Sequence, residues 1–282
     1  MRNFRYVLCD VFTDRPLTGN PLAVFTDGRG LSTETQQAIA REMNLSETVF
    51  VLPPEKGGHA RLRIFTPRQE LPFAGHPVLG TAFVLSGPLQ SSEMRLETGV
   101  GVIPVRLERD EIRVLFGWMQ QPVPEEHAFS RGAELCAALG IDAGNAALPI
   151  AEYSNGPHHL LAVLDDVERV RALNPDLGRL GREFPATVSV AAGAGDRYFT
   201  RVFAPAAGVA EDPATGSAAG PLALHLARHG RLGFGQRLYI EQGTGLLRPS
   251  ELHAVVSGSA ERIERVEVGG CAVLIARGEL RL

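Results

Sequence analysis

One short pattern occurs twice in this 282-residue chain and constrains its fold more than any other feature. His76–Ala82 (HPVLGTA) and Asp212–Ala218 (DPATGSA) lie 136 positions apart and share His or Asp, then Pro, two residues, Gly, Thr or Ser, and Ala. Three further pairs of segments match upstream in the same order, 138 or 139 positions apart: Arg63–Pro67 with Arg201–Pro205, Leu22–Phe25 with Leu161–Leu164, and Thr48–Val51 with Thr187–Val190. The repeat predicts two copies of one folding unit, with the two Pro-Gly turns facing each other across a cleft.

The second copy of the pattern begins with Asp212 and follows Glu211. It predicts a loop that presents a carboxylate beside the start of a helix. Asp212 precedes a proline, which disfavours helical geometry for the acid. Small residues follow, and a helical pattern begins near Leu222. The first N–H groups of a helix have no partner within it, and they favour an anion.

Composition narrows the class of protein without giving its activity. Apolar residues make up 44% and charged residues 21% of the chain, the net charge is −4 and the pI is about 6.1. These values do not favour a nucleic-acid or anionic-membrane surface. Three widely spaced cysteines fit a reducing compartment. No segment has the pattern of a signal peptide or a bilayer span. We therefore expect a cytoplasmic enzyme or binding protein that has neither a nucleic acid nor a membrane as its partner.

The order of the predicted elements indicates an α+β fold with many antiparallel strands. In the first copy, helices are predicted over Ser32–Met43 and Val78–Leu85, and strands over these segments: 4–12, 22–25, 48–52, 60–65, 94–97, 101–108 and 111–117. Gln120–Glu126, with two prolines, is the predicted linker, and a helix over 131–139 should end at Gly140. In the second copy, helices are predicted over 167–173 and 221–229, and strands over these segments: 160–164, 187–191, 198–203, 237–241, 252–256 and 272–277. No Gly-rich phosphate loop follows a first strand, which disfavours a nucleotide-binding fold.

Comparison of the two copies identifies three candidate catalytic residues, because positions that differ between copies are candidates for function. Glu47 lies opposite Ala186 in the repeat, and His76 lies opposite Asp212. A partly buried glutamate next to apolar strand residues can take and return a proton near neutral pH. Capping or pairing at a strand edge is the alternative role for Glu47. His76 lies in a turn and titrates in the range that suits proton handling.

Three small residues of the two turns are candidates for substrate binding. Gly75, Gly216 and Ser217 could offer backbone N–H groups and a hydroxyl to a carboxylate.

Metal and thiol chemistry are not expected. His225 and His229 have helical spacing for a metal, but no third ligand accompanies them, so a solvated helix face is predicted. His158 and His159 are expected at a surface turn. The cysteines fall at neither turn, so no thiol catalyst is predicted.

Several segments together resemble the phenazine-biosynthesis PhzF-like family over essentially the whole chain. They are Asp10–Phe12, Thr18–Val24, Asn44–Thr48, Phe65–Pro67, Phe73–Pro77, Glu211–Ala218, Gln242–Gly243 and Arg248–Ser250. The resemblance implies a diaminopimelate-epimerase-like fold: two pseudo-symmetric domains, each a curved, mostly antiparallel sheet around a central helix, with the active site between them. We expect one domain over residues 1–122 with 268–282, the other over 123–267, and a cofactor-free homodimer.

The resemblance also implies a reaction. Founding members isomerise trans-2,3-dihydro-3-hydroxyanthranilate with a glutamate that moves a proton between ring carbons. That role maps onto Glu47, with His76 and Asp212 in support and Gly216 and Ser217 on the substrate carboxylate. The epimerase relatives use one cysteine from each half, and neither turn carries one here. Alternatives are an epimerase or racemase of another small amino or hydroxy acid, and a non-catalytic small-molecule binder on the same fold.

Overall fold

The structure is a computed structural model that describes residues 2–111 and 113–282. Within them the chain forms 18 strands and six α-helices. The strands are β1 (Asn3–Val11), β2 (Asn20–Phe25), β3 (Glu47–Leu52), β4 (Ala60–Phe65), β5 (Glu70–Leu71), β6 (Glu93–Thr98), β7 (Gly101–Arg109), β8 (Val114–Gln121), β9 (Glu125–His127), β10 (Ala151–Ser154), β11 (His158–Leu164), β12 (Thr187–Ala194), β13 (Arg197–Ala204), β14 (Val209–Asp212), β15 (Arg237–Gln242), β16 (Ser250–Gly258), β17 (Ile263–Gly270) and β18 (Ala272–Arg281). The α-helices are α1 (Thr33–Met43), α2 (Gly75–Leu89), α3 (Gly132–Leu139), α4 (Val167–Arg171), α5 (Leu177–Glu183) and α6 (Gly216–Arg228).

The two copies have the same strand pairing. In the first, β2 and β3 are parallel, β3 and β4 antiparallel, β4 and β6 parallel, and β6, β7 and β8 antiparallel in turn. In the second, the same sequence of pairings runs through β11, β12, β13, β15, β16 and β17. Parallel neighbours need a crossover connection, which α1 and α2 make in the first copy and α4, α5 and α6 in the second. The predicted pseudo-symmetric α+β fold is confirmed.

The strand register corrects one of the predicted matches between copies. Ala23 lies beside Thr48 in the first copy, and His159 lies beside Thr187 in the second. If Thr48 corresponds to Thr187, then Ala23 corresponds to His159 and not to Ala162. Both strands consist mostly of apolar residues, so their sequences match about equally well in more than one alignment.

Strand pairing also joins the two copies into one sheet. β1 pairs with both β2 and β18, and β17 pairs with β8. The linker prediction was too long, because Gln120 and Gln121 continue β8 opposite β17, and β9 begins at Glu125. The division of the chain into residues 1–122 with 268–282 and residues 123–267 stays a prediction.

The two central helices, α2 and α6, share one hydrophobic core. Val78 and Leu79 of α2 and Ala223 and Leu224 of α6 are fully buried in it. Two smaller clusters lie outside it, one under α1 and the other under α3, α4 and α5. The predicted cap of α1 is present, since the Ser32 side chain accepts a hydrogen bond from the Thr35 N–H. No helix within the described residues has the length and apolar character needed to cross a membrane.

Helix α6 begins five residues earlier than predicted and contains Pro221. Pro221 has no N–H for the carbonyl of Ser217, four residues before it. Asn155 Nδ2 donates to that carbonyl oxygen instead, at 2.9 Å. Gln121 Nε2 donates to the Gly216 carbonyl at 2.7 Å. Two buried amides from neighbouring segments therefore stabilise a helix start that local sequence rules place at the proline.

Two histidines predicted to be solvated are fully buried. His225 lies on α6, which is buried on all sides, and its Nδ1 is 3.1 Å from the Tyr153 hydroxyl. Burial lowers the pKa of His225 to about 4. Neither ring nitrogen of His159 has a hydrogen-bond partner, and burial lowers the pKa of His159 to about 3. The prediction treated α6 as amphipathic and missed that it is enclosed.

Replacing His159 with leucine is expected to stabilise the protein, and by more in acid than at neutral pH. Unfolding restores the ordinary His pKa of 6.5, so below that value the unfolded chain takes up a proton that the folded chain does not. At about pH 5 this linkage adds about 2 kcal/mol to the gain seen at about pH 8. Urea unfolding at both pH values measures it, with exposed His158→Leu as the control. A gain of the same size at both pH values would contradict the prediction.

Candidate active site

A cavity of about 260 Å³ opens between the two copies. Its walls come from both of them. They include Glu47, Pro72 and Phe73 from the first copy and Ala186, Asp212 and Ser217 from the second. Most of the remaining lining is apolar, so a substrate here would be shielded from water and held by a few polar groups.

The ends of four elements bring the predicted residues together. Glu47 is the first residue of β3, and Asp212 is the last residue of β14. His76 and Ser217 are each the second residue of a central helix, α2 and α6 respectively. Because each of these side chains lies at the end of a strand or helix, the rest of that element holds it in place.

Glu47 and His76 form the buried centre of the cleft. Glu47 Oε2 lies 3.3 Å from His76 Nε2, and the two side chains are 13% and 3% exposed. Burial, with the Asp212 carboxylate nearby, raises the pKa of Glu47 well above its ordinary value. Burial also lowers the pKa of His76 to about 3. Both shifts favour the neutral forms, so this contact is not an ion pair at neutral pH.

Asp212 lies in a hydrogen-bond network from several elements. Thr215 Oγ1 donates to Asp212 Oδ2 at 2.6 Å, and Asn20 Nδ2 donates to Asp212 Oδ1 at 2.9 Å. Gln242 Nε2 donates to the Asp212 backbone carbonyl at 2.8 Å. Burial raises the pKa of Asp212, and the hydrogen bonds from Thr215, Ser46 and Asn20 oppose that rise.

The starts of α2 and α6 touch each other at two glycines. A Cβ atom on Gly75 would lie 2.5 Å from the Ser217 nitrogen and 2.7 Å from the Gly216 Cα. Neither helix start has a side-chain cap, at Ala74 or at Thr215. The positive ends of two helix dipoles therefore converge on one place, which can hold an anion such as a carboxylate.

The structure thus brings all six predicted site residues into one region, although their roles stay predictions. It also adds Asn20, Thr215 and Gln242, which the sequence reasoning did not select. Asn20 and Gln242 lie in segments that carry the family resemblance, but nothing in their local pattern points to a role. No three or more His, Cys, Asp or Glu side chains in the described part of the chain are grouped so that they could hold a metal ion.

Arg248 fixes the loop that leads to Asn20. Its Nη2 donates to Asp10 Oδ1 at 2.5 Å and to the Thr18 carbonyl at 2.8 Å, and its Nε donates to the Gly19 carbonyl at 2.9 Å. The Asp10 side chain is almost fully buried. Arg248 therefore neutralises the buried Asp10 carboxylate and links its own loop to the loop that contains Thr18 and Gly19.

Replacing Arg248 with alanine is expected to cost about 3 kcal/mol of unfolding free energy, because it leaves the buried Asp10 carboxylate without its cation. The control is Arg5→Ala, which breaks an exposed pair with Glu279. Exposed pairs of this kind contribute less than about 1 kcal/mol. Urea unfolding of both variants tests the difference, and equal losses would contradict the role given to Arg248.

Comparison with known proteins identifies the family of this chain. A family model described as "Phenazine biosynthesis-like protein" matches residues 9–278. The trans-2,3-dihydro-3-hydroxyanthranilate isomerase of Pseudomonas aeruginosa is 50% identical over 279 residues, which cover 99% of both chains. The structure of a phenazine biosynthesis protein of the PhzF family from Bacillus anthracis has a TM-score of 0.86 and 25% identity, with 100% of each chain covered.

A more distant structure shows the wider fold. A probable proline racemase from Agrobacterium radiobacter superposes with a TM-score of 0.71 at 14% identity, covering 99% of this chain and 93% of its own. That likeness concerns the fold alone. The predicted family, the epimerase-like fold and the isomerase class are confirmed by these matches together. The chain belongs to the PhzC–PhzF family of phenazine biosynthesis-like proteins.

Proposed function

We propose that this protein is an isomerase that moves a proton between ring carbons of trans-2,3-dihydro-3-hydroxyanthranilate, with Glu47 as its general acid and base. The identity to the isomerase of that name runs from end to end. The observation that carries the proposal is a buried carboxylate with a raised pKa, placed in the cleft between the copies. A carboxyl group of that kind can both accept and donate a proton near neutral pH.

One carboxylate performs both proton transfers in this proposal. Ionised Glu47 removes a proton from one ring carbon, becomes a neutral acid and returns the proton to another ring carbon, so that it ends ionised again. The matching region of the second copy offers Ala186 and Thr187 to the cleft, neither of which can serve as a second base. Asp212 is a second carboxylate on the wall of the second copy, but hydrogen bonds from Thr215 and Asn20 hold both of its oxygens. Glu47 is therefore proposed as the only proton carrier, which suits an isomerisation better than an epimerisation with bases on opposite faces.

His76 and Asp212 are proposed to hold the reacting part of the substrate. His76 is neutral and lies beside Glu47, so it can donate or accept a hydrogen bond without a fixed charge. Asp212 can bind an amino or hydroxyl group. The converging helix starts at Gly75, Gly216 and Ser217 are proposed to bind the substrate carboxylate, because their N–H groups and dipoles favour an anion.

The experiment that tests the function is direct turnover of candidate substrates. Purified protein is incubated with trans-2,3-dihydro-3-hydroxyanthranilate and separately with proline, hydroxyproline and other small amino and hydroxy acids. Consumption of the first compound alone supports the proposal. No consumption of it, together with deuterium entering the α-carbon of an amino or hydroxy acid in D₂O, would favour the epimerase alternative. Binding without turnover of any compound would favour a non-catalytic binder.

We further propose that the protein works as a homodimer in the cytoplasm and does not bind nucleic acid. The homodimer follows from the family resemblance. The cytoplasmic location is supported by three cysteines that are all free, two of them buried. The net charge of −4 is unfavourable for phosphate backbones. Size-exclusion chromatography with light scattering gives the mass of the protein in solution. The mass of a monomer would contradict the homodimer.

A further inference from the structure

Asn20 connects the catalytic groups of the two copies. It is the first residue of β2 and is fully buried. Its Nδ2 donates to Asp212 Oδ1 and to the Ala214 carbonyl oxygen, both at 2.9 Å, and lies 3.2 Å from His76 Nδ1. Its own Oδ1 has no hydrogen-bond partner. The Asn20 side chain therefore acts only as a donor, and its two N–H groups face three possible acceptor atoms.

These contacts favour one of the two neutral tautomers of His76. A backbone carbonyl oxygen can only accept, so the contact with Ala214 requires the amide nitrogen of Asn20, and not its oxygen, on this side. An amide nitrogen has no lone pair to offer a donor. In this contact His76 Nδ1 can only accept, so the contact favours the neutral tautomer with the proton on Nε2. That nitrogen is the one 3.3 Å from Glu47 Oε2.

We propose that Asn20 is a positioning residue that keeps the His76 proton on Nε2, facing Glu47, and holds His76 in register with Asp212 of the other copy. With the proton on that side, His76 Nε2, which has no hydrogen-bond partner in the structure, can donate to a substrate oxygen near Glu47. With the opposite tautomer, a lone pair would face Glu47 and repel its ionised form, which is the base in the proposed function. The Arg248 contacts with Thr18 and Gly19 keep Asn20 in place from the preceding residues.

The first part of the test reads the tautomer and does not depend on the proposed function. Nitrogen-15 NMR of the histidine rings gives different shifts for protonated and unprotonated nitrogens, and a His76→Gln variant identifies the His76 signals. Wild type should show a protonated Nε2 and an unprotonated Nδ1. Asn20→Ala should populate both tautomers. A protonated Nδ1 in wild type would overturn the proposal, even if the variant does not fold.

A matched control separates this role from a general loss of a buried amide. Asn155 is also buried, donates through Nδ2 to the Ser217 carbonyl, and has an unpartnered Oδ1, but it makes no hydrogen bond to His76. Asn155→Ala should leave the His76 nitrogen shifts as in wild type. A change in those shifts equal to that of Asn20→Ala would overturn the assignment to Asn20.

The second part of the test is kinetic and rests on the proposed function. Asn20→Ala should lower kcat by about 10- to 100-fold with KM changed less than about threefold, since it misplaces a catalytic group rather than a binding group. If Asn20→Ala lowers kcat but the His76 tautomer is unchanged, Asn20 has only a structural role and the proposal is overturned. If wild type turns over no candidate substrate, the proposed function fails while the tautomer result stands.

Discussion

Replacing Glu47 with glutamine is expected to lower kcat by about 10³- to 10⁴-fold with little change in KM. The amide keeps the size of the side chain and its place between His76 and the cleft, but it cannot take up a proton. In wild type, kcat/KM should rise with pH through the raised pKa of Glu47, because the ionised form is the base. Steady-state rates across pH measure both effects.

The same substitution is expected to stabilise the fold at neutral pH. The folded-state pKa of Glu47 is raised, so above the ordinary value of 4.5 the unfolded chain releases a proton that the folded chain retains. This linkage favours unfolding as pH rises, and glutamine removes it. Glu70→Gln is the control, since Glu70 lines the same cavity, is half-exposed and pairs with Arg63. A variant of Glu47 that loses both stability and activity would point to misfolding instead.

Replacing Gly75 with alanine is expected to cost about 3 kcal/mol or more of unfolding free energy and about 10²-fold in kcat/KM. The added methyl would lie 2.5 Å from the Ser217 nitrogen and 2.6 Å from the Gly216 carbonyl carbon. Both are backbone atoms that cannot rotate away, so the starts of α2 and α6 must separate. The proposed carboxylate site would open as they do.

The matched control for Gly75 is Gly87 on the same helix. A Cβ atom at Gly87 meets nothing within 4 Å. Alanine there should leave activity unchanged and change the unfolding free energy by less than about 1 kcal/mol, because the methyl group meets open space while the following proline disfavours helical geometry for a residue with a Cβ. Thermal unfolding and steady-state kinetics of the two variants make the comparison. Equal effects at the two positions would contradict the close contact between the helix starts.

The fold could be predicted to the extent that it rests on local patterns and on the repeat. The apolar run of α2, the cap at Ser32 and the end of α3 at Gly140 all follow from neighbouring residues. The register between copies did not follow, because apolar strands of similar composition match in more than one alignment. The burial of His159 and His225 did not follow either, since it depends on which other elements cover them.

The candidate site was predicted where the two copies differ and missed where distant residues meet. Glu47, His76 and Asp212 were selected as departures from the repeat. Asn20 was not, because its partner Asp212 is 192 residues away and only the folded chain brings the two side chains within 2.9 Å. Gln242 was missed for the same reason, as its role is to bind the backbone of the Asp212 loop. Such positioning residues have no local signature.

Proton NMR in D₂O with trans-2,3-dihydro-3-hydroxyanthranilate tests the central claim most directly, with wild type and Glu47→Gln compared side by side. The account predicts that wild type consumes the substrate and that deuterium enters the receiving carbon, because the transferred proton passes through an exchangeable side chain. Glu47→Gln should leave the substrate signals unchanged over the same period. Equal turnover by the two proteins would contradict the assignment of Glu47 as the proton carrier.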